Sequence, residues 1–131
     1  MKAAVLMAAV AALGLAGAAR AADAPAAPAK PKVACFFSRD WDGWRSPNKD
    51  TIYLRVGVRD IWRVDLAGGS SLLAWPDSHL VQNVRGTDSV CMPIDLDLKV
   101  ASDGFVEPLF VKAITKLTPE EVAAIPKKDL P

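Results

Sequence analysis

Histidine and cysteine are scarce in this chain of 131 residues, which has one of the first and two of the second. A zinc site needs several nitrogen and sulfur ligands at close spacing. His79, Cys35 and Cys91 are too few and too far apart to form such a motif. A nucleophilic cysteine needs an activating base, and nothing local pairs His79 with either thiol. Gly68-Gly69 lacks the lysine and the following helix that a phosphate cradle requires. No serine elbow of the hydrolase type occurs, no internal repeat is visible, and nothing implies a cofactor. Basic excess is also missing, since 16 Lys and Arg stand against 15 Asp and Glu. Neither nucleic acid nor an anionic membrane is called for as a partner.

What is present begins with an export signal. Lys2 is followed by an uncharged run over residues 3–19 and then by Ala19-Arg20-Ala21, which fits a signal peptide cleaved after Ala21. A single membrane-spanning helix is the rival reading, opposed by the run's alanine content and by the cleavage site. No cysteine follows the run to accept a lipid. Removing residues 1–21 leaves 14 basic and 15 acidic groups, a net charge of −1. Residues 22–32 are rich in Ala, Pro and Lys, a composition that cannot bury a core and reads as a flexible tether. One domain, residues 33–131, remains, and the implied location is the periplasm or the exterior, with no membrane span after cleavage. Such a compartment permits a Cys35–Cys91 disulfide.

The clearest structural signal lies in residues 51–66. Ile52, Leu54, Val56 and Val58 alternate with Tyr53, Arg55, Gly57 and Arg59, and Trp62, Val64 and Leu66 alternate with Arg63 and Asp65. Period two means a half-buried strand, so the stretch predicts an antiparallel hairpin. A loop over residues 59–61 would set Val58 against Trp62, Val56 against Val64 and Leu54 against Leu66, with Arg55 opposite Asp65; a bulge at Gly57 would align the same faces. Residues 33–37 predict a first strand containing Cys35. In residues 38–50, Asp42-Gly43 and Pro47-Asn48 predict a loop with no long element. Residues 72–75 read as a strand or an apolar anchor, and residues 79–85 as a short strand. Residues 89–100 form a second alternating run, ending in Ile94, Leu96, Leu98 and Val100; a turn at 101–104 and a strand at 109–114 follow.

Thr118-Pro119-Glu120-Glu121 is a capping box that starts a short helix, stopped by Pro126. Short strands with one brief C-terminal helix predict a mainly β fold, a small antiparallel β-sandwich or open barrel. The lack of crossover helices excludes a parallel sheet.

Candidate binding residues are Trp41 and Trp44 with the flanking Arg39 and Arg45. The two indoles serve either as a stacking platform or as cover for one end of the core. Arg55 and Arg63, with Tyr53, fall on the outer face of the hairpin and offer a further contact surface. Two carboxylate pairs support a competing hydrolase reading. Asp95 and Asp97 would lie about 7 Å apart on one strand face, within the range of inverting glycosidases; Asp40 and Asp42 are the second pair. The sequence Asp40-Trp41-Asp42-Gly43 opens like a calcium loop, but its twelfth position is Thr51 rather than a bidentate Glu, so no metal is implied. A non-enzymatic domain binding an envelope protein, peptide or glycan is the primary reading, and an assembly subunit offering a free strand edge is the third.

Several runs together resemble a known family: Cys35-Phe36-Phe37, Arg39-Asp40, Trp44-Arg45, residues 51–58, Asp65-Leu66, Cys91 ahead of Asp95-Leu96, and Leu117-Thr118-Pro119-Glu120-Glu121. The pattern is similar to domain-of-unknown-function (DUF) family 6491, exported bacterial proteins, over nearly all of the mature domain. That resemblance implies a fold and a compartment but no reaction. It also implies two further cysteines, near Ser70 and near Leu109 or Phe110, which are missing here. Were those the usual partners, Cys35 and Cys91 would both be free thiols.

Overall fold

The computed structural model describes residues 33–131, so the expected signal peptide and tether lie outside the described residues. The strands in chain order are β1 (Phe36–Phe37), β2 (Trp41–Asn48), β3 (Thr51–Val56), β4 (Asp60–Leu66), β5 (His79–Asn83), β6 (Ser89–Val90), β7 (Asp97–Ser102), β8 (Phe105–Leu109) and β9 (Val111–Lys116). One helix, α1 (Pro119–Ala123), follows them. The strands form a sheet in the order β2-β3-β4-β9, another in the order β5-β7-β8, and a β1-β6 ribbon, with every pair antiparallel. The fold is therefore mainly β, in the class of small sandwiches and open barrels, with a short helix near the C-terminus.

Alternation explains the core. Ile52, Leu54 and Val64 from the first sheet and Leu98 and Val100 from the second have no solvent exposure. They join Phe36, Trp62, Leu73, Val90 and Leu109 in one cluster. Burying each large aliphatic side chain contributes about 1.5–3 kcal/mol. The Phe36 ring meets Trp62 at 4.8 Å between centroids, which attaches the ribbon to the larger sheet.

The hairpin exists, but its register differs from the sequence expectation. Leu54 pairs with Trp62, Ile52 with Val64 and Val56 with Asp60, so the loop is residues 57–59 rather than 59–61. Gly57 explains the shift: its φ is +63°, a conformation costly for residues with a Cβ, so the chain turns there. Val58 consequently leaves the core and is 90% exposed. Arg55 lies opposite Ile61 and Gly43, while Asp65 lies opposite Thr51. Arg63 nonetheless stays off the Val56 face, opposite Tyr53.

Residues 38–50 hold a strand of eight residues, not the expected loop. A short 3-10 turn, Ser38–Asp40, leads into β2 at the edge of its sheet. Register shifts between Trp41 and Gly43 and between Arg45 and Asn48 absorb Gly43 and Pro47, because an edge strand tolerates bulges and missing amides. The run at 89–100 is also broken. Pro93–Asp95 forms a 3-10 turn that swings Ile94 out to 85% exposure, and β7 begins only at Asp97. Residues 101 and 102 belong to β7; the bend at Phe110 separates β8 from β9. Residues 71–74 are a 3-10 turn capped by the Ser70 hydroxyl.

Cys35 and Cys91 are bonded to each other, and no free cysteine remains. The bridge lies one step beyond the Phe36–Val90 pair, closing the β1-β6 ribbon across directly opposed positions. The pairing with additional cysteines that the family resemblance implied is thus not used in this chain.

After β9 the chain turns back over the outer side of the four-stranded sheet. The Leu117 amide donates to the Ile61 carbonyl, and the capping box of α1 is formed as its sequence predicts. At the far end Arg55 donates to the Pro131 carbonyl, and Pro131 lies close to Gly43. Ile61 and Ile125 are buried as a result.

Candidate functional site

The six residues expected to form a binding surface fall into separate groups: Arg39, Trp41 and Arg55 border one hollow, Trp44 and Arg45 border another, and Arg63 lies at neither. Trp41 and Trp44 stand opposite Val56 and Leu54, are half-buried and pack against the core. The Trp41 indole N–H donates to the Gly43 carbonyl at 2.9 Å. Arg39 lies over the Phe37 ring, 4.3 Å from its centroid, and pairs with Asp88. Arg63 pairs with Asp65 at 2.8 Å, and Arg45 is exposed beside Tyr53 on the neighbouring strand. Arg55 is drawn under the C-terminal run, with one nitrogen 3.2 Å from Asp42 and its Nε buried without a protein partner. Exposed ion pairs of this kind contribute about 0–1 kcal/mol each.

The carboxylate pairs lose their geometric support. Asp95 is not on a strand; its Oδ2 accepts the Cys91 and Met92 amides at 3.0 and 2.9 Å, holding the turn before β7. Asp97 instead pairs with Arg85 at 2.8 Å. Asp40 and Asp42 border one shallow hollow with Trp41, but the Asp42 side chain is 68% exposed and neutralised by Arg55. Asp40 too is open to solvent, so neither carboxylate is enclosed. No group of three or more His, Cys, Asp or Glu gathers to hold a metal ion among the described residues.

A further depression lies between the edge of β2, the capped turn and the C-terminal end. Ser70 Oγ accepts the Leu72 amide, fixing the turn so that Leu73 plugs the core and Trp75 projects outward. Pro76 then directs the chain back, and the Ser78 amide and hydroxyl both donate to the Trp75 carbonyl. Trp75 is 43% exposed and meets Phe105 edge-on at 6.4 Å. Opposite stand Trp44, Arg45 and Ser46, and the 3-10 turn Lys127–Asp129 supplies Lys128 and Asp129. The groove encloses about 370 Å³, at the small end of ligand sites. Trp75, exposed at this groove, has hydroxyl, ammonium, guanidinium and carboxylate groups around it, a combination that can meet a flat or sugar-like ligand and hydrogen-bond its rim.

Of these groups the sequence singled out only Trp44 and Arg45. Trp75, Ser78, Lys128 and Asp129 were missed, although a tryptophan before a proline after an apolar run marks an anchored and outward-turned ring. Among the described residues no helix is long and apolar enough to cross a membrane. No protein-family model matches the chain, and searches of curated proteins and of solved structures found no match.

Proposed function

We propose that the chain is an exported, non-enzymatic binding domain of the bacterial envelope with a glycan as its ligand; the DUF6491 resemblance supports the compartment alone. The groove between Trp44 and Trp75 carries the reading, because it sets the exposed Trp75 among polar groups and holds no pair of buried carboxylates. The Cys35–Cys91 bridge supports passage through an oxidising compartment, and the signal sequence at residues 1–21 supplies the route.

The test is a fluorescence titration of the purified protein with envelope oligosaccharides. Saturable quenching is expected, and Trp75→Ala should weaken binding at least about tenfold, equivalent to 1.4 kcal/mol. Equal affinity in the two proteins would remove the groove as the site. No response to any oligosaccharide would remove the glycan.

A further inference from the structure

A strand at the edge of a sheet leaves a row of N–H and C=O groups that can pair with another chain, and proteins normally blunt such edges with charge, proline or bulges. Three of the four edges in the two larger sheets are blunted. β2 carries Asp42, Arg45, Pro47 and two register shifts. β8 contains Glu107 and Pro108, and β9 contains Lys112 and Lys116. β5 is the exception. His79-Leu80-Val81-Gln82-Asn83 contains no Asp, Glu, Lys, Arg or Pro, and pairs with β7 in five unbroken steps. Residues 79–83 make no other backbone hydrogen bond among the described residues. Val81 is exposed on the outer face of the same sheet, which also bears the exposed Val106.

We propose that β5 is a self-association edge, and that two copies of this chain pair through it antiparallel about a two-fold axis at Val81. The occupant follows from the strand's own sequence. Antiparallel pairing about Val81 sets His79 against Asn83, Leu80 against Gln82 and Val81 against Val81, so no like charges meet. One such contact uses both free edges and closes, as an isologous dimer must. The joined sheet runs β8-β7-β5-β5-β7-β8, and it ends on β8, where Pro108 and Glu107 prevent further growth. The pairing involves neither the Trp44–Trp75 groove nor its ligand, so it stands or falls separately from the binding function.

Sedimentation velocity of the purified protein over a range of concentrations tests it. A reversible dimer is expected, with Val81→Lys associating on the order of a hundredfold more weakly because two lysines then face each other across the axis. Val81→Cys should give a reducible, covalently linked dimer, and circular dichroism should match the parent for both variants. A protein that stays monomeric at the highest concentration overturns the proposal. So does a dimer that Val81→Lys leaves intact, since another face would then be responsible. A monomer that instead captures an added extended peptide along β5 would replace the second copy with a foreign strand.

Discussion

The β2-β3-β4-β9 and β5-β7-β8 sheets contribute equally buried side chains to one core, and they differ in what lies on their other sides. Over the four-stranded sheet runs the C-terminal segment, under which Ile61 is buried and Arg55 is half-buried. Nothing comparable covers the three-stranded sheet among the described residues, and Val106 is 63% exposed there. The C-terminal segment covers the sheet whose outward side carries Ile61, an apolar side chain whose exposure would be costly. The other sheet is left free for contacts, so its outer face and β5 edge are where association is placed.

Three measurements sharpen or break that contrast. Urea denaturation should show losses of about 2–5 kcal/mol for Leu54→Ala in the shared core and for Ile61→Ala beneath the tail. Val106→Thr on the bare face should cost under about 0.5 kcal/mol. Similar costs for Ile61→Ala and Val106→Thr would erase the distinction between the two outer faces. Next in size, replacing Cys35 and Cys91 together by Ser should lower stability by about 2–4 kcal/mol, by freeing a loop with a sequence separation of 56 residues. An unchanged urea midpoint would mean that the ribbon is held by Phe36 and Val90 alone.

A smaller effect than the disulfide's concerns the start of the tail. Thr118→Ala should cost about 1 kcal/mol by removing the helix cap. At the same helix end, backbone N–H groups and then the Thr118 hydroxyl hold the Glu120 pKa below its ordinary value. A depressed pKa in the folded state means that Glu120 stabilises above the normal Glu range, about pH 4.3, and that this is lost as pH falls through the folded value. Thermal melts from neutral to acidic pH should therefore decline less for Glu120→Gln than for the parent. Parallel declines would show that Glu120 takes no part.

Legibility in the sequence followed how directly each segment's environment is written in its own side chains. Ile52, Leu54, Val64, Leu98 and Val100 alternate because one face of each strand is dry, and all of them are in the core. The capping box at Thr118 is entirely local and formed as written. β2 was hidden because Gly43 and Pro47 favour turns, while the bulges that accommodate them depend on having a partner on one side only. Ile94 breaks the alternation because Pro93 and the Asp95 carboxylate build a turn within the period of two. The register of the hairpin depended on the backbone at Gly57, which hydrophobic pattern does not report. The groove was least visible of all: its walls come from residues 44–46, 73–78 and 128–129, and only tertiary packing brings these together.

The position of the disulfide also bears on how the molecule is made. With two cysteines in the whole chain, oxidation has a single intramolecular product, and no mispaired isomer exists for an isomerase to correct. During N-to-C-terminal synthesis, Cys35 has to wait for Cys91 until β2 through β6 have emerged. The bond therefore locks an arrangement in which the central hairpin is already available, and a simple thiol oxidant is enough to finish it.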